Sequence, residues 1–173
     1  MTNRRADASS RLNEILMKLK GKQCWRCSAM VVTGTAISLN FGNRIPWAAI
    51  GNRENIEDVF GEFGLMIEGA AWRVLRENQA VMTSDTIMTD ERAVELCVFE
   101  GKSVIAASVC SLTLDLTIAF EMGLRLDVFC NCFDETLCNY TISQGHSYYS
   151  ARARNRVLLV CEELDEAESS QGT

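Results

Sequence analysis

Eight cysteines and a single histidine are the side chains whose chemistry this sequence advertises first. Cys24-Trp-Arg-Cys27 has the spacing of a redox pair or of half a zinc knuckle, and either needs a turn or helix start to bring both sulfurs to one side. It falls instead in a predicted strand, Cys24 to Val32, where alternation sends Cys24 and Cys27 to opposite faces. Cys130-Asn-Cys132, Cys138 and His146 can be written as four zinc ligands, and a Cys-x-Cys pair does point both sulfurs the same way on an extended chain. Their spacing matches no specific zinc motif. Buried, inert thiols are expected, with no metal and no other cofactor; a cysteine-liganded metal protein is the alternative. His146 follows Gly145 in a predicted turn, with no acid placed to orient it. The isolated glycines at 61, 64 and 69 do not lead from a strand into a helix, as a phosphate-cradling loop does. Without an activated nucleophile and positioned base, the expectation is a protein that is not an enzyme.

One stretch looks built for contact. In Tyr148-Tyr-Ser-Ala-Arg-Ala-Arg-Asn-Arg156 the arginines recur at every second position, so an extended chain puts Arg152, Arg154 and Arg156 on one face beside Tyr148 and Tyr149. That combination suits acidic or phosphorylated partners; the plainer reading is an edge strand whose charge discourages aggregation. Trp47 lies beside the only proline, Pro46, in an excursion over residues 42–61 that is longer than a hairpin needs. The predicted partner-binding residues are therefore Tyr148, Tyr149, Arg152, Arg154, Arg156 and Trp47.

The elements that must position these residues read as mostly β. Leu112, Leu114, Leu116, Ile118 and Phe120 alternate with smaller or polar residues; Glu121-Met-Gly123 supplies a turn, and Leu124, Leu126 and Val128 alternate again. Residues 112–129 thus predict a hairpin with one dry face, and Val104 to Val109 and Asn139 to Ser143 complete a four-stranded meander. Laying Leu16–Thr33 over Leu96–Thr113, an offset of 80, matches Leu16 with Leu96, Gly21 with Gly101, Lys22 with Lys102 and Ser28 with Ser108. Corresponding strands follow at Ala36 to Phe41, Phe63 to Ile67 and Ala71 to Arg76. A helix capped by Ser9 or Ser10, with an apolar stripe of Leu12, Ile15, Leu16 and Leu19, introduces the first copy; one capped by Thr89 or Asp90 introduces the second. The predicted class is α+β, mostly β: two tandem degenerate repeats, each an N-terminal helix followed by an antiparallel meander. Its divisions are an N-terminal arm at 1–10, repeats at 11–88 and 89–161, and an acidic disordered tail at 162–173.

Composition narrows the class further. The formal net charge of −6 repels nucleic acid and anionic membrane alike, so neither is an expected partner. No stretch reaches the roughly 20 apolar residues of a bilayer span, and the first residues carry no secretory signal, which predicts a cytoplasmic protein with reduced thiols.

Leu114-Asp-Leu-Thr-Ile-Ala-Phe-Glu-Met-Gly-Leu-Arg-Leu-Asp-Val-Phe129, with Gly101-Lys102 before it, resembles a motif of small bacterial β-rich domains, some of them similar to toxin-immunity proteins. Ile37-Ser-Leu-Asn-Phe-Gly42 and Gly69-Ala-Ala-Trp-Arg73 extend that resemblance over residues 20–145. It implies a bacterial inhibitor or regulatory partner and transfers no catalytic residue. The function expected is a non-catalytic protein-binding module with a protein partner, homo-oligomerisation remaining open; a subunit of a larger assembly, which the apolar run Val157-Leu-Leu-Val-Cys161 suits, is a further alternative.

Overall fold

The structure, a computed structural model, describes residues 2–29, 36–46, 59–85, 89–145, 147–154 and 157–164, with the side chains of all of these except 2–9, 90, 154, 157, 158 and 162–164. The first half of the chain forms helix α1 (Thr2–Leu19) and strands β1 (Cys24–Ala29), β2 (Ile37–Pro46), β3 (Val59–Ile67), β4 (Ala71–Arg76) and β5 (Gln79–Thr83). The second forms helix α2 (Asp90–Leu96), a 3₁₀ turn (Cys97–Phe99) and strands β6 (Val104–Val109), β7 (Leu116–Phe120), β8 (Leu124–Phe129), β9 (Cys138–Gln144), β10 (Ser147–Arg154) and β11 (Val157–Leu164). The protein is mostly β, and no helix is long and apolar enough to cross a membrane among the described residues.

Helix α1 buries Leu12, Ile15, Leu16 and Leu19, the stripe its spacing predicts. It begins at Thr2 rather than at Ser9 or Ser10, because residues 2–10 hold no glycine or proline to interrupt it. The Thr89 hydroxyl caps α2 by accepting from the Arg92 amide at 3.3 Å. Both helical segments end the same way: Gly21 and Gly101 take φ of +80° and +77°, and the amides of Lys22 and Lys102 donate to Leu19 and Phe99 at 2.9 and 3.0 Å.

All strand pairs are antiparallel and fall into two sheets, ordered β1-β2-β3-β9-β10-β11 and β5-β4-β8-β7-β6. The predicted four-stranded meander is therefore a three-stranded one. After β8 the chain crosses, and β9 and β10 join β3, while β4 and β5 from the first half join β8. The helices cross as well: α1 packs on β6, and α2 with its 3₁₀ turn packs on β1. One core cluster draws on both sheets and both helices, and Phe41 of β2 stacks against Phe120 of β7 with ring centroids 6.3 Å apart.

Backbone bonds where the halves meet recur at the offset read from the sequence. The Gly21 amide donates to Val104 at 2.8 Å and the Gly101 amide to Cys24 at 2.7 Å; Cys24 donates to Lys102 and Val104 to Lys22, both at 2.9 Å. Each first strand also carries a bulge at the same place, Trp25 in β1 and Ile105 in β6. The bulge at Trp25 corrects one expectation. It inserts a residue between Cys24 and Cys27, so both thiols face the core rather than opposite sides.

Two other readings change. The strand expected from Leu112 starts at Leu116, because residues 110–115 close a turn in which the Leu114 amide donates to Cys110 and the Cys110 amide to Asp115. Leu114 stays buried with φ +59°, and Leu112 is 82% exposed. Residues 147–154 are not an edge strand, since β11 pairs with β10 along its whole length from Ser147↔Leu164 to Arg154↔Val157. The run Val157 to Cys161 thus pairs within the chain. Residues 162–164, assigned to the tail, are the end of β11, and 165–173 lie outside the described residues.

Candidate functional site

Because side chains alternate along a strand, the six-stranded sheet presents two ladders of residues on its outer face. One runs Ser28–Ser38–Met66–Thr141–Ser150, the other Arg26–Asn40–Gly64–Ser143–Tyr148. The row between them, Cys27–Leu39–Leu65–Ile142–Tyr149, turns inward and is apolar throughout. Small hydroxyl side chains and a glycine leave the outer face hollow. One depression of about 180 Å³ is lined by residues that include Asn40, Gly64, Met66, Ser143 and Tyr148, and a second of about 290 Å³ by Arg26, Ser28, Val59 and others. They share Ser38, Asn40, Phe60 and Met66, forming one groove across β1, β2, β3, β9 and β10. Phe60 and Met66 stand in its middle, 39% and 37% exposed.

The groove is held open by specific contacts. Asn40 Oδ1 accepts from the Gly61 amide at 2.9 Å, and Thr141 Oγ1 and Ser150 Oγ share a hydrogen bond at 2.9 Å. A Cβ on Gly61 would lie 2.5–2.8 Å from backbone atoms of Phe63 and Phe41, so only glycine fits there. A Cβ on Gly64 would meet the Ser143 hydroxyl at 2.6 Å and partly fill the hollow. Among the described residues no carboxylate lines either depression. Near its β1 end, Arg44 lies over the Trp25 ring, 4.7 Å from the centroid.

The matching rows of the five-stranded sheet are filled differently. There Thr117, Asp127, Arg73 and Thr83 form one ladder, and Ala119, Arg125, Leu75 and Ala80 the next. Asp127 is buried, accepting from Arg73 Nε at 2.9 Å, from an Arg125 guanidinium nitrogen at 3.2 Å and from the Thr117 hydroxyl at 3.3 Å. Arg73 also covers the Phe129 ring at 5.0 Å. One outer face is sealed by an ion cluster where the other is hollow.

Of the residues predicted for partner binding, Tyr148 lines the groove and Arg152 shares its strand face, between the buried Ala151 and Ala153. Tyr149 packs inward against the core, since it neighbours Tyr148 on a strand. Arg154 is the last residue of β10, its side chain outside the description; Trp47 and Arg156, like His146, lie outside the described residues. Sequence reasoning missed Phe60, Gly64 and Met66. The available signal was Phe60-Gly-Glu-Phe-Gly64, two glycines inside a strand pattern, which marks close backbone approach.

Cys24, Cys27 and Cys97 lie near one another, the Cys97 thiol donating to the Cys27 carbonyl at 3.7 Å. Among the described residues no group of three or more metal-ligating side chains is placed to hold a metal ion. Burial pushes the Cys24 and Cys130 thiols up to about 12, and raises Cys27 further and Cys97 in the same direction. Cys130 Sγ donates to the Leu114 carbonyl at 3.2 Å. Cys110 is the contrast: it is exposed, and hydrogen bonds from the Thr113 hydroxyl and then from backbone amides hold its thiol below the ordinary value. Alkylation at pH 8 followed by peptide mapping is therefore expected to label Cys110 first and to leave Cys24, Cys27 and Cys130 unlabelled until denaturant is added. Early labelling of any buried thiol would contradict the packing described. Comparison of the chain with protein-family models, with curated proteins and with solved structures returns no match.

Proposed function

We propose that this chain is a non-catalytic protein-binding module, of the kind an immunity or regulatory protein is, and that it holds its partner on the outer face of the six-stranded sheet. The observation carrying this reading is the groove around Phe60 and Met66: apolar in the middle and edged, among the described residues, by hydroxyls and by Arg26. Large apolar side chains left exposed in a depression are what a partner's side chains desolvate, and an arginine at the rim suits acidic groups on that partner.

The reading includes a duplication. Two tandem degenerate repeats that exchanged their last strands account for hydrogen bonds, bulges and helix ends recurring at an offset of 80. On that account the copies diverged on their outer faces, one sealed by Asp127 and its arginines, the other kept hollow by Gly64.

The test is isolation of the chain from cells that encode it. A stoichiometric protein partner is expected with the wild type, and Met66→Glu is expected to weaken its capture by about tenfold or more while leaving the thermal midpoint in place. Undiminished capture by Met66→Glu, or no partner at all, would overturn the reading.

A further inference from the structure

Exchanging the two halves of the chain carries each sheet onto the other. Read from β1, the first sheet runs β1-β2-β3-β9-β10; read from β6, the second runs β6-β7-β8-β4-β5. Every strand in one is matched by the equivalent strand of the opposite half in the other, and among the described strands β11 alone has no mate. The registers agree. Cys24 pairs with Phe41 between β1 and β2 as Val104 pairs with Phe120 between β6 and β7; Ile67 pairs with Tyr140 between β3 and β9 as Val128 pairs with Trp72 between β8 and β4.

Halves related in this way are joined about an approximate twofold axis, and residues near the axis meet their own equivalents. Gln23 forms an antiparallel bridge with Ser103, and Phe41 stacks on Phe120. Around that point the contacts are reciprocal. The Gly42 amide donates to Gln23 and the Glu121 amide to Ser103, both at 3.0 Å, and α1 packs on β6 as α2 and its 3₁₀ turn pack on β1. Reciprocity of this kind is the mark of an interface between two identical subunits, where one patch complements itself. Two consecutive domains that merely touch have no reason to show it. The single covalent connection between the halves runs from Asp85 to Thr89, both exposed.

We propose that the surface between the halves is a subunit interface kept within one chain, and that the partner it fits is a second half of the same build: the residues up to Asp85 and those from Thr89 hold each other without the link between them. Strand β3 has β9 beside it and β8 has β4, so each half takes two strands of the other to complete its sheet. Association and folding are then one event, as in obligate dimers. The association depends on these contacts and not on ancestry, and it takes nothing from the groove.

The test uses the full chain with a protease recognition sequence inserted after Asp85, folded first and then cut. At about 10 μM the two pieces are expected to elute together at the mass of the intact chain, and to regain that state after unfolding in urea and dilution. Each tenfold dilution is expected to lower the thermal midpoint of the cut protein by about 3–6 °C and to leave that of the uncut chain in place. The control is the same sequence inserted after Leu112, 82% exposed in the turn between β6 and β7; that cut divides one half internally, and its pieces are expected not to recover from urea. Met66→Glu is expected to reassemble like the wild type, so failure of the partner-binding reading and failure of this one are separable. Separation of the pieces before unfolding, a midpoint that ignores dilution, or equal recovery after either cut would overturn the proposal.

Discussion

Trp72→Ala is expected to cost about 3–5 kcal/mol, read as a fall in the urea midpoint at unchanged slope. Trp72 is 1% exposed and is the largest of the fully buried side chains among the described residues. It sits on β4, opposite Val128 of β8, so it joins a strand of the first half to a sheet of the second. A total stability for a domain of this size is about 5–15 kcal/mol, so this one truncation should remove a large fraction of it. Tyr140 holds the corresponding place on β9, opposite Ile67 of β3, with its hydroxyl donating to the Leu114 carbonyl at 2.9 Å. Tyr140→Phe removes only that bond and should cost about 1–2 kcal/mol, a variant mild enough to fold. Leu112→Ala, by contrast, should change stability by less than about 0.5 kcal/mol. An equal loss from Leu112 and Trp72 would mean that residues 110–115 do not turn as described.

Raising the pH should unfold the protein more steeply than its carboxylates or amines alone require. The ordinary thiol value is 9.0, and burial holds Cys24 and Cys130 up at about 12, with Cys27 displaced in the same direction. Above pH 9 the unfolded chain releases these protons and the folded chain keeps them, so the folded state binds more protons and stability falls as pH rises. Below pH 8 the three thiols contribute no slope. Each is worth about 1.4 kcal/mol per pH unit between its unfolded and folded values, about 4 kcal/mol per unit for the three. Burial raises Tyr140 well above its usual value and adds to the fall above pH 10. Urea unfolding under reducing conditions from pH 7 to 10.5 measures this directly. Replacing Cys24, Cys27 and Cys130 together by alanine should lower stability at pH 7 yet remove most of the slope between pH 9 and 10. A profile as steep in that variant would place the alkaline transition elsewhere.

Local pattern was readable where a strand has one dry face and a marked end. Leu124 to Val128, Ala71 to Arg76, Val104 to Val109 and the Thr89 cap stand where alternation and capping put them. Gly21 and Gly101 each take a left-handed turn after a helical segment, as their places behind the apolar stripes suggested. Strand β5 escaped notice for two reasons. It is short, and the turn before it places Glu77 and Asn78 at φ of +50° and +67° without a glycine to announce it. The crossing of β9 was invisible in principle, since nothing in Asn139 to Ser143 distinguishes pairing with β8 from pairing with β3. The groove was hidden for the same reason. Its lining runs from Ser38 to Tyr148 and exists only because strands of both halves lie side by side. Arg152 and Tyr148 were legible as a contact face, but the hollow beside them depends on what Gly64 lacks.

The crossing also sets when this chain can begin to hold its shape. A nascent chain that has reached residue 85 carries β1 to β5, yet β3 still lacks β9, and β4 lacks β8. Neither layer closes until residues 124–154 have left the ribosome, so pairings far apart in sequence must form together and late. Until then β3 and β4 present open ladders to whatever is nearby.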